Sequence, residues 1–382
     1  MNRSICCILA LIGLLQFCTA KWGDPIGDIG GTLNCDAAVM AASKTNPKNV
    51  HSVRPADIKL VMALGDSLTA ANGAGALDPL EIILQYRGLA FLAGGDKNLS
   101  THITVPNILK QFNPRLFGQS TGIGGADVWH SAQLNSAVPG AHAKDLPSQA
   151  LDLVQKLNAH PNDYDLNNDW KLLNIFIGGN DVCGYCRDPA GNTPEQFKAH
   201  IERAIEIIQS HVPKVIVNLV TMLHLEMVRQ IDREQYFCKA IHVDECKCES
   251  NTSFTNDQIS KVCTDLQRVE KEIETEGKYE RDDFTVVTQP FFNDVTVPPK
   301  KPDGSIMIEF FCPDCFHFSQ SGHAIVSSYV WQNMMEAVGS KTTKADLGVA
   351  ITNLKCPDAA CPFIRTTKNS KDCSKYLTQS NI

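Results

Sequence analysis

Residues 58–69 read IKLVMALGDSLT. The first seven are almost wholly apolar. Such a run is what a short strand needs when helices cover both of its faces, as in a parallel sheet. It ends in Gly65-Asp66-Ser67-Leu68-Thr69. A serine at the end of a strand, just before a turn, points its hydroxyl into a crevice, and a glycine two residues earlier lets the backbone bend sharply. Taken alone, four residues are a weak signal, and an ordinary strand-to-helix turn would explain them.

Outward from this stretch the pattern repeats. Residues 170–178 (WKLLNIFIG), 215–220 (VIVNLV) and 284–287 (FTVV) are further strand-like runs. Between them lie helical patterns. Thr193-Pro194-Glu195-Gln196 combines an N-cap, a proline at the first helical position and the glutamine of a capping box. Phe197, Ile201, Ala204, Ile205 and Ile208 follow as one apolar stripe. Asp145 is positioned to cap a second helix, with Leu146, Ala150, Leu153, Val154 and Leu157 inward. Ser319 or Ser321 would cap a third, reaching about Ala337. Alternating strands and helices predict βαβ units, and active groups in such sheets collect at the carboxyl ends of the strands. We expect an N-terminal extension over 21–56, a main domain over 57–340 with a cysteine-tied insertion at 230–265, and a cysteine-bearing tail over 341–382.

A nucleophilic serine requires a base, and the base requires an orienting carboxylate. Cys312-Pro313-Asp314-Cys315-Phe316-His317 places Asp and His three residues apart. On a short turn that spacing lets Asp314 hold Nδ1 of His317, leaving Nε2 to face Ser67. An oxyanion needs preorganised donors. The run 170–178 leads into Gly179-Asn180-Asp181, whose Asn180 amide is one candidate. The backbone N–H of Gly140, in the stretch Leu134–Ala141, is a second, and that of Ser67 a third. Trp129 and Phe316 are candidates for lining an acyl pocket. His130, His224 and His323 read as structural or surface histidines.

These blocks, G-D-S-L at Ser67, Gly140, G-x-N-D at Asn180 and D-x-x-H at Asp314 and His317, stand in the order of the SGNH (GDSL) hydrolases, which the chain resembles. Tyr86-Arg87-Gly88-Leu89, Pro139-Gly140-Ala141, Asp145 to Ala150, Gly178 to Cys183 and Asp314 to Ser319 are similar to the phospholipase B branch. The resemblance covers about residues 50–340. It implies a flavodoxin-like, three-layer α/β/α fold with a mainly parallel sheet. It also implies hydrolysis of lipid acyl esters, with phospholipase A and lysophospholipase activity and no cofactor. Fold does not fix substrate, so an acyl group on a sugar or small alcohol stays open. So does a catalytically silent binding protein on the same fold.

Arg3, the apolar run from Ile5 to Phe17 and the small residues Cys18-Thr19-Ala20 read as a secretory leader, with the mature chain starting at Lys21. Its apolar run is too short to span a bilayer. The end of the sequence is polar, so neither a GPI signal nor a C-terminal anchor is expected. The net charge of −7 argues against nucleic acid as a partner. We expect a secreted monomer that meets its lipid or acyl-ester substrate, in transient contact with a membrane or micelle surface. Of 15 cysteines, Cys6, Cys7 and Cys18 leave with the leader, and the remaining twelve allow up to six disulfides. Cys183-x-x-Cys186 and Cys312-x-x-Cys315 have the spacing of a four-cysteine zinc site. Disulfides are the preferred reading in an oxidising compartment, and no metal is expected. Asn98 and Asn251 head N-x-S/T sequons.

Overall fold

The computed structural model describes residues 27–377 apart from residue 235, and the expected leader lies outside the described residues. Four strands form, β1 (Ile58–Gly65), β2 (Trp170–Phe176), β3 (Val215–Val220) and β4 (Phe284–Gln289). All pair in parallel, in the order β1-β2-β3-β4. Every residue of β2, β3 and β4 is buried, and only Lys59 of β1 is partly exposed. That is why the runs read as continuously apolar rather than alternating. β2 stops two residues before the expected end, because Gly178 turns to a φ of +124° and leaves the ladder.

Beyond β1 the sheet continues in two fragments. Val61 N–H donates to Phe117 O at 2.9 Å and Ala63 N–H to Leu134 O at 3.0 Å. Counted as one broken strand, these fragments give the flavodoxin-like order 2-1-3-4-5. The chain therefore switches sides between β1 and β2, and the crevice at their carboxyl ends is where such sheets bind ligands.

Helices cover both faces. α1 (Ser67–Ala70) is a single turn, followed by α2 (Val105–Phe112), α3 (Leu146–Ala159), α4 (Gly179–Tyr185) and α5 (Pro194–His211). Then come α6 (Tyr236–Glu245), α7 (Asn256–Thr275) and α8 (Gln320–Met334). α3, α5 and α7 pack side by side in one layer, while α2 and α8 pack together in the other. The capping box of α5 forms as the sequence predicts, with Thr193 and Gln196 exchanging bonds of 3.1 and 3.2 Å. Ser319, not Ser321, caps α8, accepting from Gly322 N–H at 3.2 Å. Asp145 does not cap α3. Its carboxylate accepts from His142 N–H at 2.9 Å, across the 3-10 turn Ala143–Asp145.

Buried amides lock strand register. Asn218 Nδ2 donates to Asn174 Oδ1 at 3.1 Å, and Gln289 Nε2 donates to Asn218 Oδ1 at 2.9 Å, a ladder across β2, β3 and β4. Buried polar side chains persist where they satisfy one another in this way.

The terminal segments join the main core, since Val50, Val53, Leu354 and Ile364 belong to the same apolar cluster as the sheet. Cys35–Cys356 staples them, and Ile364 N–H donates to Val53 O at 3.0 Å. Among the described residues five disulfides form, within the expected limit of six: Cys35–Cys356, Cys183–Cys246, Cys186–Cys248, Cys238–Cys315 and Cys361–Cys373. Cys263 and Cys312 remain buried thiols. The even count does not force a sixth bond: the Cys312 thiol donates to Asp314 Oδ1, while Cys263 lies beside His224 and Glu226.

Candidate active site

Ser67 is set by its backbone. A Cβ on Gly65 would lie 2.3 Å from Phe176 O and 2.4 Å from Thr69 Oγ1, so only glycine lets β1 turn against β2 here. Gln149 of α3 grips the same glycine with both ends of its amide, Oε1 accepting from Gly65 N–H at 2.9 Å and Nε2 donating to Gly65 O at 2.8 Å. Asp66 caps α1 by accepting from Leu68 N–H at 2.9 Å. Burial pushes the Asp66 carboxyl up to about 7.

Ser67 Oγ lies 2.7 Å from His317 Nε2, and His317 Nδ1 lies 2.6 Å from Asp314 Oδ2. The three side chains are buried. The turn that allows an i,i+3 pair to meet depends on Cys315, a non-glycine residue at φ +64°. The Cys238–Cys315 bond tethers that residue to α6. Asp314 Oδ1 also accepts from Phe316 N–H (2.8 Å), His317 N–H (2.9 Å) and the Cys312 thiol (3.0 Å). Burial alone would raise Asp314, but the His317 charge and these donors hold it below the ordinary carboxylate range. Burial would likewise lower His317, and Asp314, with Glu245 and Asp66 behind it, carries the ring above its ordinary value.

The loops at β1 and β2 are bound together. Val138 N–H donates to Gly65 O at 3.1 Å, Asn180 Nδ2 to Ala141 O at 3.0 Å, and Ala143 N–H to Asp181 Oδ2 at 3.1 Å. Asn180 thus keeps its second amide proton available. The backbone N–H groups of Ser67 and Gly140 take no partner among the described residues. Gly140 has a φ of +77°, and a Cβ there would meet nothing within 4 Å, so its glycine answers to backbone conformation rather than crowding.

Several supporting residues escaped the sequence reading. Arg87 is fully buried, and its guanidinium donates to Asn135 O at 3.0 Å and Ala137 O at 2.6 Å, clamping the strand fragment that leads to Gly140. Arg87, Gln149 and Asp181 sit inside blocks that had carried the family resemblance, so their positions were signalled although their bonds were not. His242 had no signal at all. Its ring lies 2.9 Å from Asp314 O through Nε2 and 2.7 Å from Asp232 Oδ1 through Nδ1. Both neighbours accept, so the ring carries a proton on each nitrogen. Burial opposes that charge, and Asp232 outweighs it, raising the pKa.

Other candidates fall elsewhere. Trp129 stacks on His160 at 3.5 Å between centroids. Phe316 lines a narrow apolar crevice with Leu68, Leu223, Met227, Phe311 and Phe318. His130 is exposed, His224 pairs with Glu226 at 2.9 Å, and His323 is buried against Phe91. Asn98 and Asn251 are both exposed. Three of the four sulfurs of the alternative zinc set are consumed by disulfides to Cys246, Cys248 and Cys238. No helix among the described residues is long and apolar enough to cross a membrane.

Residues 61–330 match the family model described as GDSL-like Lipase/Acylhydrolase. Over 336 residues the chain is 41% identical to "Phospholipase B1, membrane-associated" of Homo sapiens, covering 86% of this chain and 23% of the relative. The proteins of the same name from Rattus norvegicus and Mus musculus are 38% identical, over 87% and 85% of this chain. The chain spans less than a quarter of the length of these relatives.

Proposed function

Because the chain belongs to the GDSL-like lipase/acylhydrolase family and is a carboxylic ester hydrolase, we propose that it is a secreted serine esterase acting on the acyl esters of phospholipids and lysophospholipids. The observation that carries this reading is the continuous hydrogen-bonded relay Ser67–His317–Asp314 at the carboxyl edge of the sheet. In it, His317 Nε2 takes the hydroxyl proton as Ser67 Oγ bonds to the ester carbonyl carbon. The negative oxygen of the tetrahedral intermediate is received by Ser67 N–H, Gly140 N–H and the Asn180 amide. The C–O bond to the leaving alcohol then breaks, and His317 returns the proton to that oxygen. Water, deprotonated by the same nitrogen, attacks the Ser67 acyl ester, the fatty acid departs and Ser67 recovers its proton. The phospholipid substrate rests on the likeness to the phospholipases B1 of human, rat and mouse. Leu68, next to Ser67 in the chain, and Phe316 wall a narrow apolar crevice, and the acyl chain would lie against this apolar surface. Five disulfides suit an exported chain. Asn98 and Asn251 are sites for glycans, and the working form is a monomer.

The test is direct. The purified protein should release fatty acid from phosphatidylcholine and hydrolyse p-nitrophenyl butyrate, and a fluorophosphonate should label Ser67. Ser67→Ala should abolish both activities, and Asn180→Ala should lower kcat by about 10²–10³ with little change in KM. Full activity in Ser67→Ala would sink the proposal. Ester hydrolysis without release from phosphatidylcholine or its lyso form would transfer the substrate to another class of acyl ester.

A further inference from the structure

Ten large apolar side chains are exposed among the described residues, and six of them, Leu77, Leu80, Ile83, Leu84, Ile123 and Val138, fall on segments that backbone hydrogen bonds link to the stretches flanking the candidate serine. Leu80 is 85% exposed and Ile83 78%. Isolated exposed apolar residues are ordinary, whereas a contiguous group marks a binding surface. Backbone bonds place these residues. Gly73 N–H donates to Leu84 O at 2.9 Å and Tyr86 N–H to Ala71 O at 3.0 Å, so residues 84–86 run beside the segment that leaves α1. On its other side a Cβ on Gly73 would lie 2.7 Å from Cys312 Sγ, which bonds Asp314, and 3.4 Å from Ile82 Cα. Ile123 is fixed by its neighbours, since Gly122 O accepts from Gly88 N–H at 3.0 Å and Gly124 N–H donates to Gln85 O at 3.1 Å. Val138 N–H donates to Gly65 O.

Resting on the esterase reading above, we propose that this apolar rim docks the protein on a zwitterionic phosphatidylcholine surface, with Ser67 facing the lipid. The rim is built to stay apolar side out. In the 3-10 turn Pro79–Ile83 the carboxylates fold back on the chain, Asp78 Oδ1 accepting from Leu80 N–H at 2.7 Å and Glu81 Oε2 from Leu77 N–H at 2.9 Å. The leucines and isoleucine are thereby held out towards solvent. Charge selects the surface. Residues 77–84 contain Asp78 and Glu81 and no Lys or Arg, and the whole chain carries −7. An anionic membrane would repel this acidic face, whereas a zwitterionic choline headgroup layer carries no net charge to oppose the contact. Continuity with the serine explains why a docking face belongs here: an ester lifted from a surface beneath the rim needs no passage through water.

The experiment compares the wild type with Leu80→Asp/Ile83→Asp and the uncharged Leu80→Ser/Ile83→Ser. Both pairs are exposed, so folding should survive, checked by far-UV circular dichroism. Cosedimentation with phosphatidylcholine vesicles should fall about tenfold or more in both variants, as expected when two apolar side chains no longer leave water. Hydrolysis of dissolved p-nitrophenyl butyrate should stay within about twofold of wild type. Replacing a third of the phosphatidylcholine by phosphatidylserine should weaken binding. Unchanged vesicle binding in the variants would overturn the proposal. So would wild-type protein that ignores vesicles but sediments as a dimer that the variants dissociate, because the rim would then cover a second copy. Failure of the esterase reading is visible separately, as wild type inactive on dissolved ester or Ser67→Ala active, while the binding arm remains readable.

Discussion

Asp314 takes four hydrogen bonds on a fully buried carboxylate, and His317 takes its charge from that partner. The consequence is a pH dependence with a definite sign. Only the neutral imidazole can accept the Ser67 proton. Asp314 raises the His317 pKa above its ordinary value of about 6.5, so the cation persists to higher pH. kcat/KM should therefore rise with pH through a single ionisation whose midpoint lies above about 6.5. Asp314→Asn removes the charge that raises the ring. Its midpoint should shift to lower pH, and kcat should fall by about 10⁴ by analogy with the serine-protease triad. A pH profile of p-nitrophenyl butyrate hydrolysis for both proteins decides the matter. An unchanged acid limb in folded Asp314→Asn would reassign the orienting carboxylate.

At the scale of elements, the candidate site depends on α6, which belongs to no motif. Cys238 of this helix is bonded to Cys315, and His242 presents its Nε2–H to Asp314 O. The D-x-x-H turn, with its left-handed Cys315, is thus held from outside rather than by a local Cys312–Cys315 bridge. Bonds from charged donors contribute about 1.5–3 kcal/mol, and losing one leaves the Asp314 carbonyl buried without its partner. His242→Ala should therefore lower kcat about tenfold while KM for a dissolved ester stays within about twofold. The split identifies a positioning residue, since a loosened turn misplaces the base without touching the substrate. Equal kcat in a folded His242→Ala protein would show that the turn holds its own shape.

For the whole molecule, the longest-range staple is Cys35–Cys356, which joins residues 321 apart. Neither cysteine takes part in the relay hydrogen bonds. Removing such a bond costs about 2–4 kcal/mol through the freedom returned to the unfolded chain. In a domain of this size that corresponds to a drop in Tm of roughly 3–5 °C. Cys35→Ser/Cys356→Ser should show that drop by calorimetry and keep its kcat on p-nitrophenyl butyrate. Loss of activity below the new Tm would mean that the terminal segments shape the site and do not only stabilise the fold.

Residues 58–64, 170–176 and 215–220 declared themselves as buried strands, because apolar periodicity is a local property that any neighbouring environment must respect. The blocks around Ser67, Asn180 and Asp314–His317 were equally legible, since turns and caps are built from residues adjacent in the chain. Local spacing misled where partners are remote. Cys312 and Cys315 stand three residues apart, yet one stays a thiol beside Asp314 and the other reaches Cys238. His242 had no local feature to announce it, since its role arises from a carbonyl 72 residues away. The same holds for the apolar rim, where the segments carrying Leu84, Ile123 and Val138 meet one another and the ends of β1 only through backbone bonds formed in the folded chain. The sequence by itself determined which segments are strands and helices and which residue types could do acyl chemistry. Tertiary packing alone decided which cysteines bond, what holds the triad turn and which apolar side chains remain in water, because those outcomes depend on distances between chain segments that no short-range propensity encodes.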